Sequence, residues 1–131
     1  TMSVGISPAD SKVEHVLKYR LPTETYDTIL YTGLHYVGRD TLLITSSDAV
    51  VSIVGRLGTL HEFTIAMETD TPIGFLQGAG GISTQIQAIL DVAGSRHAEN
   101  PVLFSEDADE LIRDLTKVLD VEFSRYRQIF K

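Results

Sequence analysis

The residues best suited to chemistry are Gly55-Arg56-Leu57-Gly58-Thr59 and, three positions further on, Glu62. They follow an apolar run, Ala49 to Val54, and open a helical stretch. The glycines permit tight dihedral angles and close approach of a ligand to the backbone. A helix starting there offers unpaired N–H groups and the positive end of its dipole. Together these features suit a phosphate. The spacing matches neither the dinucleotide fingerprint nor a Walker loop. Arg56 can clamp a phosphate through two parallel hydrogen bonds or point into solvent. Thr59 and Glu62 have the spacing of a capping box, which would satisfy the first helical amides. Alternatively, Glu62 stands beside a bound sugar phosphate as a general base or as a stabiliser of positive charge. Arg39, near the start of the preceding helix, is either a solvated surface residue or a second ligand-facing cation.

These residues need a scaffold, and the sequence alternates short β-rich runs with longer helical ones. Ser3–Ser7 reads as a strand, Ser7–Asp10 as a turn, and Ser11–Leu17 as a helix with Ser11 and Glu14 at capping-box spacing. Residues 20–27 form a polar connection. Strands are expected at 28–32, 49–54, 72–76 and 102–104, and helices at about 38–46, 59–68 and 84–93. The run 49–54 is β-branched on both faces, as in a parallel strand buried on both sides. Arg96–Asn100 reads as a loop, and Gly78-Ala79-Gly80-Gly81 follows the fourth strand. Ser105 is placed to cap the last helix, and Leu111, Ile112, Leu115, Val118 and Leu119 give that helix an apolar face. Phe123, Tyr126, Ile129 and Phe130 extend an apolar face through a helical tail, 121–131, that docks either on its own domain or on a partner. The alternation predicts an α/β fold, a Rossmann-like parallel sheet flanked by helices, in one domain spanning 1–131. Ligands of such sheets bind at the carboxyl ends of the strands.

Composition narrows the function. The chain has 131 residues, 43% hydrophobic and 22% charged, as in ordinary globular proteins. Eleven basic residues are scattered in a chain of net charge −7, which argues against nucleic-acid binding. No apolar run reaches the roughly 18 residues of a membrane span, so no membrane partner is expected. There is no cysteine, which excludes disulfides and thiolate chemistry and fits a cytoplasmic setting. His61-Glu62 opens like a zinc-protease helix, but position 65 is Ile. His15, His35, His61 and His97 lack metal-ligand spacing, so neither a metal nor another cofactor is expected. The Gly-x-Ser-x-Gly elbow of serine hydrolases is also missing.

Residues 47–62, Ser-Asp-Ala-Val-Val-Ser-Ile-Val-Gly-Arg-Leu-Gly-Thr-Leu-His-Glu, resemble a known block. The segment is similar to the hallmark of Lonely Guy type proteins, long misnamed lysine decarboxylases, within the wider SLOG group. In that hallmark an Asp-Ala strand leads into Pro-Gly-Gly-x-Gly-Thr-x-x-Glu. Thr71–Leu76 resembles the family's following strand, and Gly38-Arg39-Asp40 falls at its Arg-Lys pair. The resemblance covers about residues 3–120. It implies cleavage of the N-glycosidic bond of a nucleoside 5′-monophosphate, giving base and ribose 5-phosphate. Gly55, Arg56, Leu57, Gly58 and Thr59 would hold the phosphate, and Arg39 and Glu62 would carry catalysis. The alternative it allows is a non-catalytic carrier of a nucleotide or a pterin-like ligand. Val54 stands for the motif's Pro, Arg56 for its second Gly, and Asp40 for the Lys, which reverses a charge near the phosphate. Family members also have a strand, a helix and a second glycine turn ahead of the first strand found here, roughly 60 residues or more by the size of a βαβ unit. The chain is therefore expected to be the C-terminal portion of a complete domain. A homo-oligomer is the expected assembly.

Overall fold

A computed structural model describes residues 1–93, 102–127 and 129. The expected loop at 96–100, His97 and Phe130 lie outside the described residues. Among the described residues every strand pairing is parallel, and the strands fall into two sheets. The chain divides into two compact units, Thr1–Leu43 and Ile44–Lys131. Among the described residues no helix is long and apolar enough to cross a membrane.

The first unit holds β1 (Val4–Ser7), α1 (Lys12–Leu17), β2 (Thr28–Tyr31) and most of α2 (His35–Thr45). β1 and β2 pair in the register Val4↔Thr28 to Ser7↔Tyr31. Ser11 caps α1 as expected: its hydroxyl accepts from Glu14 N–H at 3.3 Å. The reciprocal arm differs, because the Glu14 carboxylate accepts from Asp10 N–H. At the amino ends of the strands, Asp27 Oδ2 accepts from both the Ser3 amide (2.7 Å) and the Ser3 hydroxyl (3.0 Å). These bonds, the amide first, hold the Asp27 carboxyl below its ordinary range. Helix α2 starts three residues earlier than its sequence signals suggest, at His35 rather than Gly38.

The second unit runs β3 (Val50–Ile53), α3 (Leu57–Glu68), β4 (Ile73–Leu76), a 3-10 turn (Gly81–Gln85), α4 (Ile86–Ala93), β5 (Val102–Ser105) and α5 (Ala108–Arg127). The strand order is β3-β4-β5. One face of this sheet carries the core. Phe75 is fully buried, stacks on Phe104 at 5.7 Å and meets Phe63 edge-on at 5.8 Å. Ile44, Ala66, Ile73 and Ile86 close around them. Edge-on and offset pairs suit the quadrupoles of the rings, so this cluster adds geometry to simple burial. The opposite face receives α5. A Cβ at Gly74 would lie 2.8 Å from Leu111 Cδ1 and 3.0 Å from Leu115 Cδ1. The glycine therefore sets how closely the helix seats.

Two expectations change here. Strand β3 is not buried on both faces: Ser52 is buried, while Val51 and Ile53 are exposed. Nor does Ser105 cap α5. Asp107 Oδ1 accepts from Glu110 N–H at 3.0 Å, and Ser105 instead fixes the turn, accepting from Asp107 N–H and donating to Glu110.

Candidate functional site: two glycine turns at the ends of β3 and β4

The chain leaves β3 through two successive residues in the left-handed region, Val54 at φ +65° and Gly55 at +102°. For a β-branched residue such an angle is an outlier, costing on the order of 1–2 kcal/mol. The strain lies where the strand must turn into a helix within three residues. Gly55 is obligatory on steric grounds as well. A Cβ there would fall 2.1 Å from Thr59 Oγ1 and 2.4 Å from Thr59 Cβ. Thr59 is therefore folded back over the turn it follows.

Helix α3 begins at Leu57, with Arg56 as its N-cap and no side-chain hydrogen bond at that cap. This corrects the expected start at Thr59. Thr59 is the third helical residue, so Thr59 and Glu62 do not form a capping box at the helix start. The first internal bond runs from Leu60 N–H to the Arg56 carbonyl at 3.1 Å. The amides of the first turn thus end the helix without side-chain capping, at its positive pole. Arg56, Leu57 and Gly58 are exposed, and nothing stands within 4 Å of a Cβ built on Gly58. Glu62 is half-buried. Its positions relative to Thr59 and Gly58, three and four residues on, put it on the same face of α3.

A second glycine turn, in the loop after Leu76 where the sheet's topology also leads a ligand to be expected, docks on the first. Gly78, Gly80 and Gly81 all have positive φ. Ile82 N–H donates to the Gly55 carbonyl at 3.0 Å, and a Cβ on Gly81 would lie 2.6 Å from that same oxygen. Ser83 and Thr84 donate to the carbonyls of Gly80 and Gly81 at 2.8 and 2.9 Å. The carbonyls of Gly55, Gly80 and Gly81 are thus bonded within the protein. Around Gly78 and Gly80 there is open space. The signal available in the sequence is three glycines within four residues after a strand.

Arg39 belongs to the first unit. Its guanidinium lies 5.8 Å from the Tyr36 ring centre and pairs with Asp40 at 3.2 Å. Asp40 is buried. Its carboxylate meets the Arg39 guanidinium within the same unit. Arg39 borders a cavity of about 130 Å³ together with Ser7, His15, Tyr26 and Tyr36. Within this unit His15 Nε2 faces the Pro22 carbonyl at 3.0 Å, which places the proton of a neutral ring on Nε2. Nδ1 then accepts from the Ser7 hydroxyl at 2.8 Å. Among the described residues no group of three or more His, Cys, Asp or Glu side chains could hold a metal ion.

Parallel strands joined through helices, with glycine turns at the strands' carboxyl ends, define a Rossmann-like α/β protein. The sequence profile of the SLOG cluster4 family matches residues 1–112, and the chain belongs to that family. The crystal structure of TM1055, a structural-genomics target, shares the fold with a TM-score of 0.72 at 23% identity, over 87% of this chain and 63% of that one. The chain thus spans less than two thirds of that protein's length. No curated protein matches the chain at a significant level.

Proposed function

We propose that the paired glycine turns bind the phosphate of a nucleoside 5′-monophosphate, with Gly55, Arg56, Leu57, Gly58 and Thr59 as the cradle. The observation that carries this reading is the exposed, uncapped start of α3 beside Gly55, a position no side chain can occupy. An anion there meets aligned N–H dipoles. Arg56 supplies the mobile positive charge.

In its finer form the reading is hydrolysis. The bond from ribose C1′ to the base nitrogen breaks, water delivers hydroxide to C1′, and the base leaves with a proton. Glu62, on the phosphate-facing side of α3, stabilises positive charge on the ribose or activates the water. Arg39, held by Asp40, is the second catalytic residue that the family resemblance assigns. The Arg39–Asp40 pair also favours a second reading, binding without hydrolysis, because the arginine's charge is already met by a buried carboxylate.

The test uses the full polypeptide as its native cell produces it. It is incubated with AMP and the other common monophosphates, and free base and ribose 5-phosphate are measured. Hydrolysis predicts base release that falls on the order of a hundredfold or more in Glu62→Gln, with monophosphate binding retained. Equal release by both proteins removes Glu62 from the chemistry. Saturable binding with the nucleotide recovered intact selects the carrier. Absence of any monophosphate binding overturns the whole reading.

A further inference from the structure

The cavity of about 130 Å³ in the first unit is walled by β1, the loop after α1 and the first turns of α2. A cavity of about 150 Å³ accommodates one benzene, so this one suits a single six-membered ring and is too small for a fused pair. Its walls are flat. The Tyr26 ring lies against the backbone of Gly5, where a Cβ would come within 3.3 Å of it. Tyr36 and the imidazole of His15 add two further rings. The polar atoms deep in the wall are engaged. The Ser7 hydroxyl accepts from Ala9 N–H and bonds His15 Nδ1, and His15 Nε2–H donates to the Pro22 carbonyl. That wall therefore presents ring faces rather than donors and acceptors. Charge stands at one side only, where Arg39 lies 5.8 Å from the Tyr36 ring centre and 3.2 Å from Asp40, a pair of no net charge. Tyr26 and Tyr36 are half-exposed, leaving aromatic surface that a bound ring would cover.

We infer that this cavity binds a neutral six-membered aromatic ring carrying a carbonyl group, the chemistry shared by nicotinamide and the pyrimidine bases. The ring packs on Tyr26 and Tyr36 in offset or edge-on geometry. Its carbonyl dipole points its negative end at the Arg39 guanidinium. A ring bearing a carboxylate instead meets the Asp40 charge together with that of Arg39, and gains little for the water it gives up. The site lies wholly within residues 5–39. It does not rest on the phosphate reading of the glycine turns.

Amide NMR of the intact protein, titrated with nicotinamide and with uracil, tests the inference. Saturable shifts are expected at Gly5, Tyr26, Tyr36 and Arg39, with Gly55 to Thr59 unmoved. A dissociation constant of about 1 mM falls between the efficiency bounds for very small and drug-sized ligands. Nicotinate adds a charge and adenine a second ring, and each should bind on the order of tenfold more weakly. Ile29→Phe fills the cavity and Tyr36→Leu removes a flat wall. Each is expected to weaken nicotinamide binding about five- to tenfold. Tyr36 is exposed, so its variant keeps the test open where Ile29→Phe fails to fold. Absence of saturable shifts at about ten times the expected dissociation constant overturns the inference. So do shifts confined to the glycine turns, nicotinate or adenine binding as tightly as nicotinamide, or undiminished binding by Tyr36→Leu.

Discussion

Each unit presents loops at the carboxyl ends of its parallel strands, and the two sets are built in opposite ways. In the first unit the loops after β1 and β2 are closed by their own hydrogen bonds. Thr32 donates from its hydroxyl to the Ser7 carbonyl at 2.7 Å, Gly33 N–H to Ala9, and His35 N–H to Pro8. The Ser7 hydroxyl accepts from Ala9 N–H while bonding His15. In the second unit the corresponding loops are made of glycine, leave a helix uncapped, and surround Gly58, Gly78 and Gly80 with space. One set satisfies its polar groups internally, whereas the other turns its carbonyls inward and leaves amides at the surface. The same position in a parallel sheet can thus be a structural clasp or, on the proposed reading, a receptor for an anion. The hydrogen-bond inventory separates the two.

The sharpest way to break this contrast is to add a methyl group to one glycine of each kind. Gly55→Ala forces Thr59 away and is expected to cost about 3 kcal/mol or more, from overpacking and the positive φ together. It should also abolish monophosphate binding. Gly33→Ala meets Asp10 Cβ only at 3.4 Å, so it should cost about 1–2 kcal/mol, from its φ alone, and leave binding intact. Urea denaturation and calorimetric titration measure both. Equal loss of binding in the two variants would erase the distinction between clasp and receptor.

Ser7→Ala tests the clasp from within. It leaves the His15 ring without its donor and Ala9 N–H without its acceptor, and is expected to cost about 1–3 kcal/mol. Binding at the glycine turns should be unchanged. Val54→Gly sharpens the other side. Relief of the left-handed angle outweighs the added chain entropy, for a net gain of about 0.5–1 kcal/mol. A loss of stability would show that the valine's packing on Gly81 matters more than its strain.

The smallest effect concerns pH. The Asp27 carboxyl titrates below its ordinary value in the folded chain, so it binds fewer protons there than in the unfolded chain. Its stabilising contribution is complete above the unfolded value of 3.8 and is lost as pH falls through the lower folded value. Asp27→Asn should therefore flatten the acid limb of stability against pH and leave the neutral region nearly parallel to wild type. An unchanged acid limb would mean that the Ser3–Asp27 bonds do not bias protonation.

Much of this architecture is legible in the residues. All five strands and the helices between them follow from periodicity and turn signals, within a few residues at their ends. Where the structure departs from those signals, a local pattern is overruled from a distance. Thr59 and Glu62 have capping-box spacing, yet the left-handed turn at Val54 and Gly55 starts the helix two residues earlier. Ser105 looks like a cap, but Asp107 is nearer the first helical amides. Val51 and Ile53 have the composition of buried strand residues; which element would cover them is not written in their own segment. The first glycine turn is visible because its glycines, strand and helix are contiguous. Its partner at Gly78–Gly81 is visible only as a glycine cluster, since the Ile82–Gly55 bond joins residues 27 positions apart.

That single bond has an electrostatic consequence. By engaging the Gly55 carbonyl it removes a negative dipole end from the neighbourhood of the turn, so the near field there is donor-rich although the chain as a whole carries −7. On the proposed reading an approaching monophosphate is repelled at long range and attracted only in the last few ångströms. Dissolved salt screens the first force far more than the second. Anion capture by this chain should therefore quicken as ionic strength rises, the reverse of the behaviour of receptors that attract their ligands with a surplus of lysine and arginine.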